Sequence, residues 1–203
     1  MVLWISALLT GSANDAFFMA LPIVDNFWQS QACIMLTPRM PLYIPCVYVV
    51  FMYSSIVGAW RFKLPLLAQA ALAGLMGEMI YAPYDIAGAK FLWWTWHDTD
   101  APVRDRLFGA PVGSSTWVIT FCASFHLIWR LQLSPEQIAK GQNLTVFSAM
   151  SKLLISAGLS TPVMMIQMAI LQLVVGDSQG LPTIRSLLGV IFIYLALIYF
   201  SQM

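Results

Sequence analysis

The sequence predicts an all-α, polytopic transmembrane bundle of about six spans, with a long polar and aromatic loop between spans three and four. Three observations predict it. The 203-residue chain is 60% hydrophobic and only 9% charged, against about 25% charged residues in an ordinary soluble domain. Its mean hydropathy is +0.77, and its apolar stretches approach the ~20 residues that carry a helix across a hydrocarbon core. Charge is also unevenly spread: nine of the 21 ionisable side chains fall between Glu78 and Arg106. A net charge of +1 leaves no basic surface for nucleic acid, and no polybasic run marks an anionic-lipid patch.

Span one is read over about Val2–Val24. Its start lacks a positive n-region, so a first membrane segment is expected rather than a cleaved signal peptide. Asn14 and Asp15 fall near its middle. An aspartate at a helix centre costs about 2.5–3.5 kcal/mol on insertion scales, and the segment's Leu, Ile, Val and Phe residues return roughly 3–5 kcal/mol. The span is therefore expected to turn Asp15 toward other helices. Asp25–Met40 follows as a loop or interfacial segment, with Trp28 at headgroup level.

Span two is Pro41–Trp60, closed by Arg61 and Lys63, and span three is Pro65 to about Tyr81. In span three Ala70/Gly74 and Ala73/Gly77 form two small-xxx-small pairs, which let helix backbones approach closely and place this helix inside the bundle. Span four is Gly113–Leu131, span five about Lys152–Val175 and span six about Ile184–Phe200. Pro162 is expected to bend span five, because it removes a backbone donor. Met164, Met165 and Met168 read as packing. Cys33, Cys46 and Cys122 show no paired spacing, and the last two sit in apolar segments as small hydrophobic residues. The last span runs to within a few residues of Met203 without a polar tail, a pattern that fits a fragment as well as a natural end.

Lys and Arg divide five against five between the odd and even loops. The even loops are shorter and carry less acid, which leans toward both termini being cytoplasmic. Asn143-Leu144-Thr145 matches a glycosylation sequon that would argue the reverse if used, but its closeness to span five favours a chance match.

The candidate chemistry lies between Glu78 and Arg106. Glu78 and Asp85 are seven apart, so a continuous helix puts both on one face. Pro83 between them leaves a backbone carbonyl without its helical donor. Together these make a polar notch, read either as a proton-donor or cation site or as a helix end meeting headgroup water. His97, Asp98 and Asp100 are candidate acid–base or metal groups, although their spacing matches no strong metal motif and the metal remains unassigned. Their structural alternative is a solvated loop paired with Arg104 and Arg106. Trp93, Trp94 and Trp96, with Phe91, Tyr84 and Tyr81, exceed what an interfacial belt needs. Aromatic faces stabilise cations, so acids beside them suit protonation of an alkene; the bland alternative is a Trp-rich amphipathic helix at headgroup level. On span four, His126 and Arg130 lie one helical turn apart, with Cys122 a turn earlier. His126 either reaches the loop acids or makes a single interhelical hydrogen bond.

Pro83-Tyr84-Asp85, Gly88, Lys90 and Trp93-Trp94-Thr95-Trp96-His97-Asp98-Thr99-Asp100 resemble an uncharacterised family of eukaryotic multi-pass membrane proteins. Val24-Asp25-Asn26-Phe27-Trp28, with Pro38 to Ile44, looks like the same family's first loop. The resemblance covers roughly residues 14–130 and brings no assigned activity. More faintly, the layout is similar to membrane-bound carotenoid hydratases, which add water across a terminal isoprenoid double bond. No catalytic residue of theirs maps one-to-one here, so that likeness implies a reaction type.

The expectation is thus an acid-catalysed hydration or isomerisation of an isoprenoid-type lipid. Asp98 or Asp100 would be the proton donor, with His97 as partner and Glu78 and Asp85 as further acids. Trp93, Trp94 and Trp96 would line the cation, Arg104 and Arg106 would hold the acids, and Asp15, Asp25 and His126 would cap the site. A raised carboxylate pKa is what such a donor needs. No cofactor is expected, and the partners are membrane lipids and a lipid-soluble substrate. The rival is a non-enzymatic lipid-binding or complex-forming subunit. A small transporter would favour internal repeats, and the two halves show no convincing one.

Overall fold

The computed structural model describes residues 1–20, 27–96, 104–134, 137, 144–177 and 183–203. Its helices are α1 (Val2–Ala20), α2 (Tyr43–Ala59), α3 (Leu66–Lys90), α4 (Val112–Leu131), α5 (Val146–Val175) and α6 (Ile184–Phe200). Among the described residues α1, α3, α4 and α5 are long and apolar enough to cross a membrane, while α2 and α6 are shorter apolar helices. The helix exteriors expose Leu67, Met79, Phe147, Leu173 and Phe192, each more than half accessible. Side chains of that kind suit contact with lipid rather than water.

Two helices extend beyond the spans read from the sequence. α3 continues past the expected end at Tyr81 to Lys90, carrying Pro83 within it. Proline costs a helix one hydrogen bond, and membrane helices tolerate this because neighbouring groups make good the loss. Pro83 is exposed on the helix surface. α5 likewise runs through Pro162 and begins at Val146, ahead of Lys152, with the Thr145 hydroxyl accepting from the Ser148 amide at 3.3 Å. In α2 a single π-helical stretch, Val49–Tyr53, separates two α-helical segments.

Packing follows the small residues. α3 lies against α4, and a Cβ added at Gly74 would stand 2.5 Å from the Ile119 carbonyl oxygen, while one at Gly77 would stand 2.5 Å from Cys122 Sγ. Only glycine permits that approach. α5 packs on α4 and on α1, α2 on α1, and α6 on α3, α4 and α5. The larger apolar core gathers Phe51, Met52, Phe121, Phe125, Trp129 and Met164 from α2, α4 and α5, and a second cluster joins α4 to α6 through Ile119, Ala123, Val190 and Tyr194.

The two long loops meet at one end of the bundle. β1 (Phe27–Gln29) in the first loop pairs antiparallel with β4 (Trp94–Trp96) in the third, Trp28 opposite Thr95. Two hairpins flank this pair: β2 (Met35–Thr37) with β3 (Met40–Pro41), and β5 (Arg106–Leu107) with β6 (Ala110–Pro111). Leu92 and Phe108 take positive φ of 57° and 54°, an uncommon conformation for such side chains that turns the chain sharply. These strands form a cap over the ends of α1, α2, α3 and α4.

Candidate functional site

Beneath the cap three carboxylates converge from two helices. Asp15 of α1 accepts a hydrogen bond from the Tyr48 hydroxyl of α2 at 2.5 Å, and Gln29 Nε2 of β1 donates to its other oxygen at 3.4 Å. Tyr48 can come so close because α1 presents Gly11 there, where any Cβ would collide with the phenol ring. The Tyr48 hydroxyl also lies within reach of Asn14, and Asn14 Oδ1 accepts from Thr161 Oγ1 of α5 at 3.0 Å.

Asp85 of α3, 2% exposed, accepts from Trp94 Nε1 at 3.1 Å and from Ser114 Oγ of α4 at 2.9 Å. Trp94 is buried across Gly88, whose missing Cβ makes room for the indole. Tyr81 stands within reach of Asp85 and near both Asp15 and Glu78. Glu78 shares the face of α3 with Asp85, as the seven-residue spacing predicts, and approaches Ser115. Its Oε2 has no hydrogen-bond partner among the described residues. Hydroxyl, amide and indole donors hold these acids, in place of the cations that usually accompany buried carboxylates.

Aromatic rings run alongside. Trp96, Trp94, Tyr84, Tyr81, Phe51, Tyr48 and Trp117 form an unbroken series of contacts with centroids 4.8–6.3 Å apart. Offset and edge-on pairs at such distances are favourable. The series carries an aromatic wall from the cap down to the level of Asp15.

The structure thus joins Glu78, Asp85 and Trp94, and brings Asp15 to them. His97, Asp98 and Asp100 lie outside the described residues, as does Asp25. Arg104 is exposed, and Arg106 donates to the Trp96 and Gly109 carbonyls at 3.3 Å each, its guanidinium 5.9 Å from the Trp96 ring. Trp93 stacks on Phe91 at the surface, with Trp96 half-buried. Lys90, Leu92, Trp94, Trp96 and Arg106 border an open depression of about 330 Å³ at the cap. His126 is not brought to the described part of the loop. It is fully buried, twelve residues beyond Ser114 on α4, or about 18 Å along the helix axis. No group of three or more His, Cys, Asp or Glu side chains is placed to hold a metal ion among the described residues.

Sequence reasoning missed Tyr48, Asn14, Ser114 and Trp117. The usable signal was Gly11 at four residues from Asp15: a glycine beside a membrane aspartate marks a close approach by a bulky neighbour.

The fold and the site define a class: a helical protein whose long apolar helices could cross a membrane, enclosing a carboxylate–tyrosine network under a stranded cap. The chain belongs to the family described as Domain of unknown function (DUF7802), whose model matches residues 1–203. No curated protein and no solved structure matches the chain.

Proposed function

We propose that this is an integral membrane protein of six spans that carries out acid-catalysed hydration or isomerisation of an isoprenoid-type lipid beneath its cap. The observation that carries this reading is the convergence of Asp15, Glu78 and Asp85 on Tyr48 and Tyr81 along an aromatic wall. Asp15 and Asp85 are engaged by two donors each, whereas Glu78 keeps one carboxyl oxygen unpaired. Glu78 is therefore the proton donor in this reading. Its proton passes to an alkene carbon, the π bond breaks, and a carbocation forms on the adjacent carbon. The faces of Tyr81, Phe51 and Tyr48 stabilise that cation. In hydration, water adds to the cation and returns a proton to the Glu78 carboxylate; in isomerisation a neighbouring C–H returns it. Asp98 or Asp100 with His97 remains the alternative donor set from the loop. The faint likeness to carotenoid hydratases points to the same reaction type.

Both termini are cytoplasmic in this reading, because Arg61, Lys63, Arg130, Lys140 and Lys152 lie in the connections after α2 and α4 or within two helical turns of them, with little acid. Protease protection of a C-terminal tag tests this. A second reading, a non-enzymatic lipid-binding or complex-forming subunit, is favoured by the Trp94–Asp85–Ser114 contacts, which by themselves pin the cap to α3 and α4.

Lipid extracts from cells carrying wild type, Glu78→Gln or Asp98→Asn/Asp100→Asn separate the readings. A folded Glu78→Gln protein should accumulate an unsaturated lipid that wild type consumes. Unchanged lipid and isoprenoid profiles in all three would sink the catalytic reading.

A further inference from the structure

Below the carboxylate network, away from the cap, the bundle is polar where a membrane interior is ordinarily apolar. Ser6, Thr10 and Asn14 recur every fourth residue on α1, all 1% exposed or less, and so lie along one face. α5, packed against both α1 and α4, buries Ser156, Ser160 and Thr161. α4 contributes Trp129, at 0% exposure; His126, one turn earlier, shares the face of Cys122 and Ile119 that packs on Gly77 and Gly74 of α3, and stands apart from this polarity. Trp129 belongs to the apolar cluster that also holds Leu3 and Ala7 of α1, Ile56 and Ala59 of α2 and Met164 of α5.

Part of this polarity is satisfied within the protein. Thr161 bonds Asn14, Gln132 Nε2 donates to Ser156 Oγ at 3.0 Å, and Ser160 Oγ donates to the Ser156 carbonyl at 2.7 Å. Lys152 closes the far end through the Gln132 carbonyl. Ser6 Oγ, Thr10 Oγ1 and Trp129 Nε1 have no partner among the described residues. Native proteins seldom leave sealed polar atoms unpaired, and ordered water is the usual remedy.

We propose that the seam where α5 packs on α1 and α4 holds a file of water leading from the membrane face at Gln132 and Lys152 to Asn14, and through Tyr48 to the Asp15 carboxylate. Ser6 and Asn14 are about 12 Å apart along α1, a gap that roughly three waters bridge at an O···O spacing of about 2.8 Å. A proton entering the file moves by O–H exchange. Each water oxygen in turn takes one proton and releases one. Asn14 holds the end of the file without exchanging. The last water protonates the Tyr48 hydroxyl as that hydroxyl gives its own proton to Asp15, and Asp15 binds it. The titratable neighbours of the route are Arg130 beside His126, Lys152 at its mouth, and Tyr48, Tyr81, Glu78 and Asp85 around its end. The route gives the network a supply of protons from the side opposite the cap. It holds whether or not the lipid chemistry proposed above is correct.

Two measurements on the full chain in proteoliposomes test it. Hydroxyl radicals generated in place by X-rays label side chains that touch bound water. Trp129 and Met164, at 0% and 1% exposure, should be oxidised at rates within about threefold of the exposed Met165; unlabelled Trp129 and Met164 overturn the proposal. Proton arrival at Asp15 after a pH jump is read from the infrared carboxyl band that Asp15→Asn removes. Thr10→Val, which keeps shape and loses the hydroxyl, should slow it tenfold or more, and Thr10→Ser should restore it. Equal rates in wild type and Thr10→Val, or no such band, overturn the route even if water is present. Neither readout depends on a lipid product.

Discussion

Tyr48 and Asp15, 33 residues apart in sequence, meet at 2.5 Å inside the bundle, the phenol lying directly over Gly11 one turn before the acid. One contact therefore settles both the rotation of α1 and the depth of α2. An aspartate that counts against span one as an isolated segment becomes its locating feature.

Tyr48→Phe keeps the ring and removes the donor to Asp15. It should lower stability by about 1–3 kcal/mol, the usual cost of leaving a buried acceptor short of a partner. Thermal unfolding in detergent checks this. Combining it with Asp15→Leu should cost less than the sum of the two single changes, since they share one interaction.

Gly88→Ala should loosen the cap without disturbing the helices. The added methyl occupies the position of the Trp94 indole, which would be displaced and lose its bond to Asp85. Faster proteolysis within the third loop and a red-shifted tryptophan emission are expected. Digestion at the wild-type rate would refute the packing argument.

Gly74→Val drives a branched side chain into the Ile119 carbonyl of α4. Overpacking in a tight interface costs about 1–3 kcal/mol, occasionally more. The variant should aggregate or lose its thermal midpoint by several degrees, whereas Gly158→Val, where nothing lies within contact distance, should behave like wild type.

Asp177, just beyond α5, offers a test by pH. Its slight desolvation pushes the carboxyl up, but Ser186 and Thr183 hydroxyls, the Thr183 amide and nearby Arg185 outweigh this and hold it below its usual value. A depressed folded pKa adds stability above the unfolded value of about 3.9 and loses it as the pH falls through the folded one. Asp177→Asn should therefore melt earlier than wild type near neutral pH, with the gap closing below about pH 4. A gap unchanged across that range would show that the charge contributes nothing.

The helices were legible because hydropathy is summed over many residues, and the interior place of α3 because Ala70, Ala73, Gly74 and Gly77 recur at helical spacing. The carboxylate network was only half legible. Glu78 and Asp85 announce themselves as charges in an apolar run, but Tyr48 and Tyr81 read from sequence as apolar rings, and a hydroxyl's partner is set by tertiary depth. Asn14 drew attention only as a cost. The β1–β4 pairing was invisible, because Phe27–Gln29 and Trp94–Trp96 are too short to show alternation and lie in segments whose aromatics suggest an interfacial belt. The extension of α3 from Tyr81 to Lys90 was not legible, because the residues after Tyr81 include Pro83, Asp85 and Lys90 and no longer read as an apolar run.

The antiparallel pairing of Phe27–Gln29 with Trp94–Trp96 has a mechanical consequence. It buckles the first loop to the third across one end of the bundle, so drawing the α1/α2 pair away from the α3/α4 pair there has to break the strand hydrogen bonds as well as the helix packing.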